Sequence, residues 1–134
     1  MGFFYIGRDT SKRKYGYIKI GETNRKLAQR EKEIKRQESF KVLGYVLLFN
    51  ETRAQRLYIE SYVRMKLEQE RELTHVKNDH FLYDIKKGCK EKQTTHFLHL
   101  ALDYAIEACQ IVGVDGIIRV ENSRELYSFC NKPW

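Results

Sequence analysis

The amino-acid sequence predicts a single α/β (α+β) domain with a small antiparallel three-stranded sheet, flanking helices, and an added C-terminal helix and short strand. Its 134 residues, 42% of them hydrophobic, are enough to bury one core but not two. Three short runs rich in aromatic and β-branched residues, at 3–6, 16–21 and 42–49, have the composition of strands. Segments with helical spacing of apolar residues follow the second and third runs, so we expect helices against the sheet.

The first two runs predict an antiparallel pair of strands joined by a basic loop at residues 8–15. Successive side chains alternate between the two faces of a strand, so the apolar positions of both strands should share one face. These core positions are Phe4, Ile6, Ile18 and Ile20. The same alternation places Tyr5, Tyr17 and Lys19 together on the opposite face, which we expect to be polar.

A first helix is expected from Arg25 to about Gln37, and Leu27 and Ile34 define its buried stripe. Arg30 follows Leu27 by three residues and precedes Ile34 by four, so it lies on the apolar stripe. An arginine in that position needs an explanation, because arginine is rarely buried without a partner.

Residues 42–49 form a nearly continuous apolar run, which is typical of a strand covered on both faces, and we take it as the central or most buried strand. A second helix is expected at about 53–69, with Glu60 at the edge of its apolar surface. The predicted inner stripe of this helix is Ala54, Leu57, Tyr58, Ser61, Tyr62 and Met65. The cap candidates are Thr23 or Asn24 for the first helix, and Asn50 and Thr52 for the second.

The last third of the chain should contain an irregular segment at 72–93, a helix at about 94–111 and a short strand at 117–120. The three cysteines form no close pair, so neither a disulfide framework nor a zinc knuckle is expected. No apolar run approaches the roughly 18 residues that suggest a membrane span. These features favour a cytoplasmic protein without membrane partners.

The formal charge of +7 is concentrated in the first third of the chain. Residues 1–50 carry 12 basic and 5 acidic residues, whereas residues 94–134 carry 3 and 5. A localised basic region is what the neutralisation of phosphates requires, although a solubilising surface has the same composition. The loop cations Lys12, Arg13 and Lys14 are our candidates for contacts to nucleic acid.

Four motifs within residues 2–85 resemble those of the GIY-YIG nuclease superfamily. The opening Gly2-Phe3-Phe4-Tyr5-Ile6 stands where that family has its first strand motif, and Lys19-Ile20-Gly21-Glu22-Thr23 stands where it has its second. The second is most similar to a phage and bacterial subgroup that has Lys-Ile-Gly-x-Thr. Arg30 and Glu60 occupy the positions of the family's helix arginine and helix glutamate, and Asn78 lies where the family often has an asparagine.

The chain departs from the family pattern at both motif tyrosines. The first is matched by Phe4 or, one position on, by Tyr5, and the alternation of the strand favours Tyr5. The second is replaced by Lys19, with Tyr17 two residues earlier on the same face. The identity of the general base among the tyrosines is therefore open.

The resemblance implies metal-assisted hydrolysis of a phosphodiester. Glu60 would hold one Mg²⁺ or Mn²⁺, with waters completing the shell, and Arg30 would face the charge that develops on the phosphate. A tyrosine would accept the proton of the attacking water. The catalytic candidates are thus Tyr5, Tyr17, Lys19 and Arg30, the metal ligand is Glu60, and Asn78 and His80 are further site candidates.

The sequence therefore predicts a divalent-metal-dependent DNA endonuclease, with a nuclease core at 2–85 and a C-terminal extension at 94–134 that packs on the core or on a second copy. The alternative is a DNA-binding or interaction module of the same fold without catalysis, and an RNA-binding domain is a third hypothesis. Structural explanations also exist: Arg30 could pair with Glu60 or another carboxylate, and Glu60 could pair with Arg56 or Arg64.

Overall fold

A computed structural model describes residues 2–9, 16–36, 40–77, 80–83 and 90–120. Within these ranges the chain has a mixed α+β fold with three helices and six strands. In chain order they are β1 (Gly2–Asp9), β2 (Tyr17–Thr23), α1 (Leu27–Lys35), β3 (Phe40–Phe49), α2 (Arg53–Glu68), β4 (Leu73–Lys77), β5 (His80–Tyr83), α3 (Lys90–Val112) and β6 (Asp115–Val120). None of the described helices is long and apolar enough to span a lipid bilayer.

The six strands form one open antiparallel sheet in the order β4-β5-β2-β1-β3-β6. The three predicted strands are present as β1, β2 and β3, but the expected sheet is only half of the observed one. The segment at 72–93, expected to be irregular, contributes β4 and β5 beside β2. The predicted strand at 117–120 is part of β6, and β3 consequently lies second from one edge rather than at the centre.

The two faces of the sheet pack against different helices. Phe4, Ile6, Ile18 and Ile20 are buried in the main core, together with residues of α2 and α3. Tyr5 faces the other side, where it packs with Ile34 of α1 and with Phe40 and Val42 of β3. The alternation predicted for β1 and β2 is therefore correct, but the face expected to be polar is covered at Tyr5, whose exposed fraction is 1%.

The inner stripe predicted for α2 is wrong. The residues of α2 that are buried are Arg56, Ile59, Val63 and Leu67. Three members of the predicted stripe are exposed, with fractions of 41% for Leu57, 40% for Tyr58 and 44% for Met65. Both sets of residues have helical spacing. The buried set was not predicted because it includes Arg56, which is charged and is buried here through ion pairs with Glu22 and Glu51.

The N-terminal cap predicted for α1 is not observed, whereas the cap predicted for α2 is. The Oγ1 atom of Thr23 accepts a hydrogen bond from the Arg25 backbone N–H at 3.0 Å, but the helix starts later and its N-cap, Lys26, makes no side-chain cap. At α2, Thr52 forms the capping box with Gln55, so this cap is confirmed. The third helix is longer than predicted because it begins at residue 90.

Arg8 was expected in a solvated loop, yet the structure buries it completely within β1. Its Nη1 donates a hydrogen bond to Oγ1 of Thr94, which is also buried, at 3.3 Å. This contact joins the end of the first strand to α3, so Arg8 is part of the fold rather than of the basic surface.

Two tyrosine–glutamate pairs link α2 and the turn after it to α3, and they predict a loss of stability at high pH. Tyr104 donates a hydrogen bond to Glu70 at 2.6 Å, and a hydrogen bond with Glu107 likewise raises the pKa of Tyr62. Both tyrosine pKa values rise from 10.0 to about 12. Because the folded pKa is the higher one, the stabilisation is complete below pH 10 and is lost as the pH rises from 10 through 12.

Urea unfolding on either side of pH 10 measures this loss. The double variant Tyr62→Phe/Tyr104→Phe should be less stable at neutral pH and should show a flatter alkaline profile than the wild type. Identical slopes for both proteins would show that these pairs contribute nothing to stability.

Candidate functional site

Tyr5 and Arg30 are in direct contact on the α1 side of the sheet. Nε of Arg30 donates a hydrogen bond to the phenolic oxygen of Tyr5 at 3.3 Å. Gly21 lies opposite Tyr5 in the β1–β2 pair, and a Cβ atom there would overlap the Tyr5 hydroxyl. The glycine of the Lys-Ile-Gly-x-Thr motif is thus explained by the space that the Tyr5 ring occupies.

The charge on Arg30 is supported by its neighbours. Burial opposes that charge, but the hydrogen bond to Tyr5 and the contact with Glu33 outweigh burial and leave the pKa of Arg30 raised. Nη1 of Arg30 lies 3.2 Å from Oε2 of Glu33, and the Arg30 side chain is 37% exposed. Arg30 therefore lies on the sheet-facing side of α1 with access to solvent, and its carboxylate partner is Glu33.

Lys19 and Tyr17 share the Tyr5 face of the sheet. By alternation along β2, both side chains lie opposite the core residue Ile18. Nζ of Lys19 is 5.9 Å from the ring centroid of Phe40, and this ring is in edge contact with Tyr5 at 6.1 Å. His80 is the partner of Lys19 across the β2–β5 pair. Four candidates, Tyr5, Tyr17, Lys19 and Arg30, are thus on one face.

Glu60 belongs to a different environment. Its Oε1 accepts a hydrogen bond from Nη2 of Arg64 at 2.8 Å, and its side chain is 15% exposed. It is carried by α2, whose buried residues pack on the sheet face opposite α1. The helices that carry Arg30 and Glu60 therefore cover opposite faces, and the structural pairing of Glu60 with Arg64 does occur.

A polar cleft of about 320 Å³ adjoins Arg30 at the end of the sheet, between the start of α1 and the start of α2. Its lining has four arginines and two glutamates. These and the other lining residues are Glu22, Thr23, Asn24, Arg25, Arg30, Glu33, Arg53 and Arg56. Of these residues only Arg30 was predicted as a site residue, although Glu22 lies inside the second motif.

The two glutamates of the cleft are held by different arginines. Arg56, nearly buried, contacts Glu22 at 3.1 Å and the buried Glu51 at 2.9 Å. Glu33 is held by Arg25 and Arg30. The hydrogen bond from Arg25 is the main cause that lowers the pKa of Glu33; burial opposes it, and the hydrogen bond from Arg30 adds to the lowering. Glu22 is therefore anchored to the core, while Glu33 pairs with two partly exposed side chains.

Several predicted site residues lie outside the described part of the chain, namely Lys12, Arg13, Lys14 and Asn78. Among the residues that are described, no group of three or more His, Cys, Asp and Glu side chains forms a metal-binding cluster.

No protein-family model, curated protein or solved structure matches this chain.

Proposed function

We propose that the protein is a divalent-metal-dependent endonuclease that hydrolyses DNA phosphodiester bonds. The observation that carries this proposal is the Arg30–Tyr5 hydrogen bond beside an arginine-lined cleft. A guanidinium fork matches the geometry of phosphate oxygens, and the phenol that it contacts is a group able to transfer a proton. The resemblance of the second motif to that of the GIY-YIG nucleases supports the same chemistry.

In this proposal Arg30 stabilises the negative charge that grows on the phosphate as water attacks phosphorus. Tyr5, whose phenolic oxygen lies 3.3 Å from Nε of Arg30, is the proposed acceptor of the proton of that water. Tyr17 remains the other candidate for this role. Lys19, on the same face, adds positive charge near the reacting group.

Glu60 is the proposed ligand of the Mg²⁺ or Mn²⁺ ion. A single carboxylate with water and phosphate oxygens is a common way to hold Mg²⁺, and Glu60 would supply that carboxylate in exchange for its ion pair with Arg64. When bound, the metal ion polarises a phosphate oxygen and stabilises the leaving oxygen. Glu22 offers a second carboxylate, because it lines the same cleft as Arg30.

One observation favours the alternative, a DNA-binding or interaction module without catalysis. The helix that carries Glu60 covers the opposite sheet face from the helix that carries Arg30. Nicking of supercoiled plasmid in Mg²⁺ and in EDTA, with duplex binding measured in parallel, separates the two functions. The endonuclease nicks only in Mg²⁺, whereas a binding module retains the duplex in both buffers without nicking. Competition with duplex RNA tests the RNA-binding hypothesis.

The loop cations give a prediction about salt dependence. Neutralising Lys12, Arg13 and Lys14 together should weaken binding to all DNA sequences alike, because phosphate contacts carry no base information. The slope of log affinity against log salt should flatten by up to about three units. Filter binding at several salt concentrations measures both effects, and an unchanged slope would assign the loop to solubility alone.

A further inference from the structure

Glu33 occupies a position between two guanidinium groups in the cleft. One carboxylate oxygen, Oε1, accepts from Nη1 of Arg25, and the other, Oε2, accepts from Nη1 of Arg30 at 3.2 Å. Each oxygen is therefore held by a different arginine. Two oxygens of one phosphate group bind two arginines in the same way, since the guanidinium fork suits both anions.

A ligand from solvent can displace the Glu33 carboxylate, because the side chains around it are partly exposed. The Arg25 and Arg30 side chains are 57% and 37% exposed, and that of Glu33 is 23% exposed, so a ligand from solvent can reach all three. Ion pairs this exposed contribute little to stability. By contrast, Glu22 is tied to the nearly buried Arg56, which the buried Glu51 also contacts.

We propose that Arg25 and Arg30 form a subsite for a phosphate group of the nucleic-acid backbone, and that Glu33 fills this subsite in the free protein and is displaced by the phosphate. The inference rests on the proposed function for the identity of the ligand. It adds to that function a second phosphate-binding arginine, Arg25, and an internal competitor. Because Glu33 is tethered in place, it weakens the binding of every phosphate that must displace it.

Equilibrium binding in EDTA tests the subsite without any cleavage. Glu33→Gln should raise the affinity for inorganic phosphate and for duplex DNA by about three- to thirtyfold, the effect of freeing two partly exposed arginines. Glu68→Gln is the matched control, because it removes the same charge from an exposed site at the end of α2. Adding Arg25→Ala to Glu33→Gln should cancel most of the gain, and Arg25→Ala alone should lower the affinity below that of the wild type.

Equal gains for Glu33→Gln and Glu68→Gln would overturn the inference, since net charge would then explain both. An unchanged affinity in a folded Glu33→Gln protein, verified by thermal unfolding, would also overturn it. A gain for inorganic phosphate without one for duplex DNA would contradict the assignment to a nucleic-acid backbone. If plasmid nicking is absent while the Glu33→Gln gain is observed, the subsite stands and the endonuclease proposal fails.

Discussion

Replacing Arg30 with alanine should lower the single-turnover rate of DNA cleavage by about two to three orders of magnitude. The guanidinium is held beside Tyr5 at 3.3 Å, and the charge it is proposed to stabilise develops only in the transition state. Duplex affinity should fall much less, because Arg30 is one of four arginines that line the cleft. Cleavage with enzyme in excess, together with binding in EDTA, measures the two effects separately.

The matched control is Arg36→Ala, which removes the same charge from an exposed position just beyond α1. It should cleave at nearly the wild-type rate. Thermal unfolding of both variants checks the fold, since Arg30→Ala also breaks the contacts with Tyr5 and Glu33. If Arg30→Ala keeps its cleavage rate, or loses rate only in proportion to DNA affinity, Arg30 acts in binding and not in the chemical step.

Glu60→Gln should also reduce cleavage by orders of magnitude while the protein remains folded. Glutamine keeps the size of the side chain and can still accept a hydrogen bond from Arg64, but it lacks the charge that a divalent cation requires. The residual activity should need a higher Mg²⁺ concentration than the wild type. Single-turnover cleavage across a Mg²⁺ titration measures both effects.

Two further substitutions make the Glu60 experiment specific. Glu68→Gln lies on the same helix and should leave cleavage unchanged. Glu22→Gln tests the carboxylate that lines the cleft with Arg30. If Glu22→Gln abolishes the Mg²⁺ response and Glu60→Gln does not, the metal ligand is Glu22, and the role that the family resemblance assigns to Glu60 is wrong for this chain.

The parts of the fold that follow from local patterns could be predicted from the sequence. Alternation along β1 and β2 placed Tyr5 and Lys19 opposite Phe4 and Ile20, because period-two geometry is a property of each strand alone. The cap of α2 was equally local, since Thr52 and Gln55 satisfy one another's backbone groups.

Features that depend on tertiary partners were missed. The strands β4 and β5 are only five and four residues long, and each depends on its pairing, β5 with β2 and β4 with β5. The buried face of α2 contains Arg56, whose burial depends on Glu22 from β2 and on Glu51. A stripe chosen by counting apolar residues therefore selected the exposed face with Leu57 and Met65.

The candidate site divides in the same way. The sequence predicted that Arg30 lies on the apolar side of the first helix. The observed contact of Arg30 with Tyr5 of the sheet agrees with that position. The cleft was not, because its arginines come from the turn before α1, from α1 itself and from the first turn of α2. Only the packing of these segments at one end of the sheet brings the positive charges together.

A double-mutant cycle on the cleavage rate measures whether Tyr5 and Arg30 act as one unit on a phosphodiester. The proteins are the wild type, Tyr5→Phe, Arg30→Ala and the double variant, compared at saturating Mg²⁺ with enzyme in excess over plasmid. We expect Mg²⁺-dependent cleavage by the wild type, a large loss in each single variant, and a double variant no slower than the slower single one. Losses that multiply in the double variant would show that the two residues act independently, and a wild type that binds duplex DNA without cleaving it in Mg²⁺ would show that the protein is not an endonuclease.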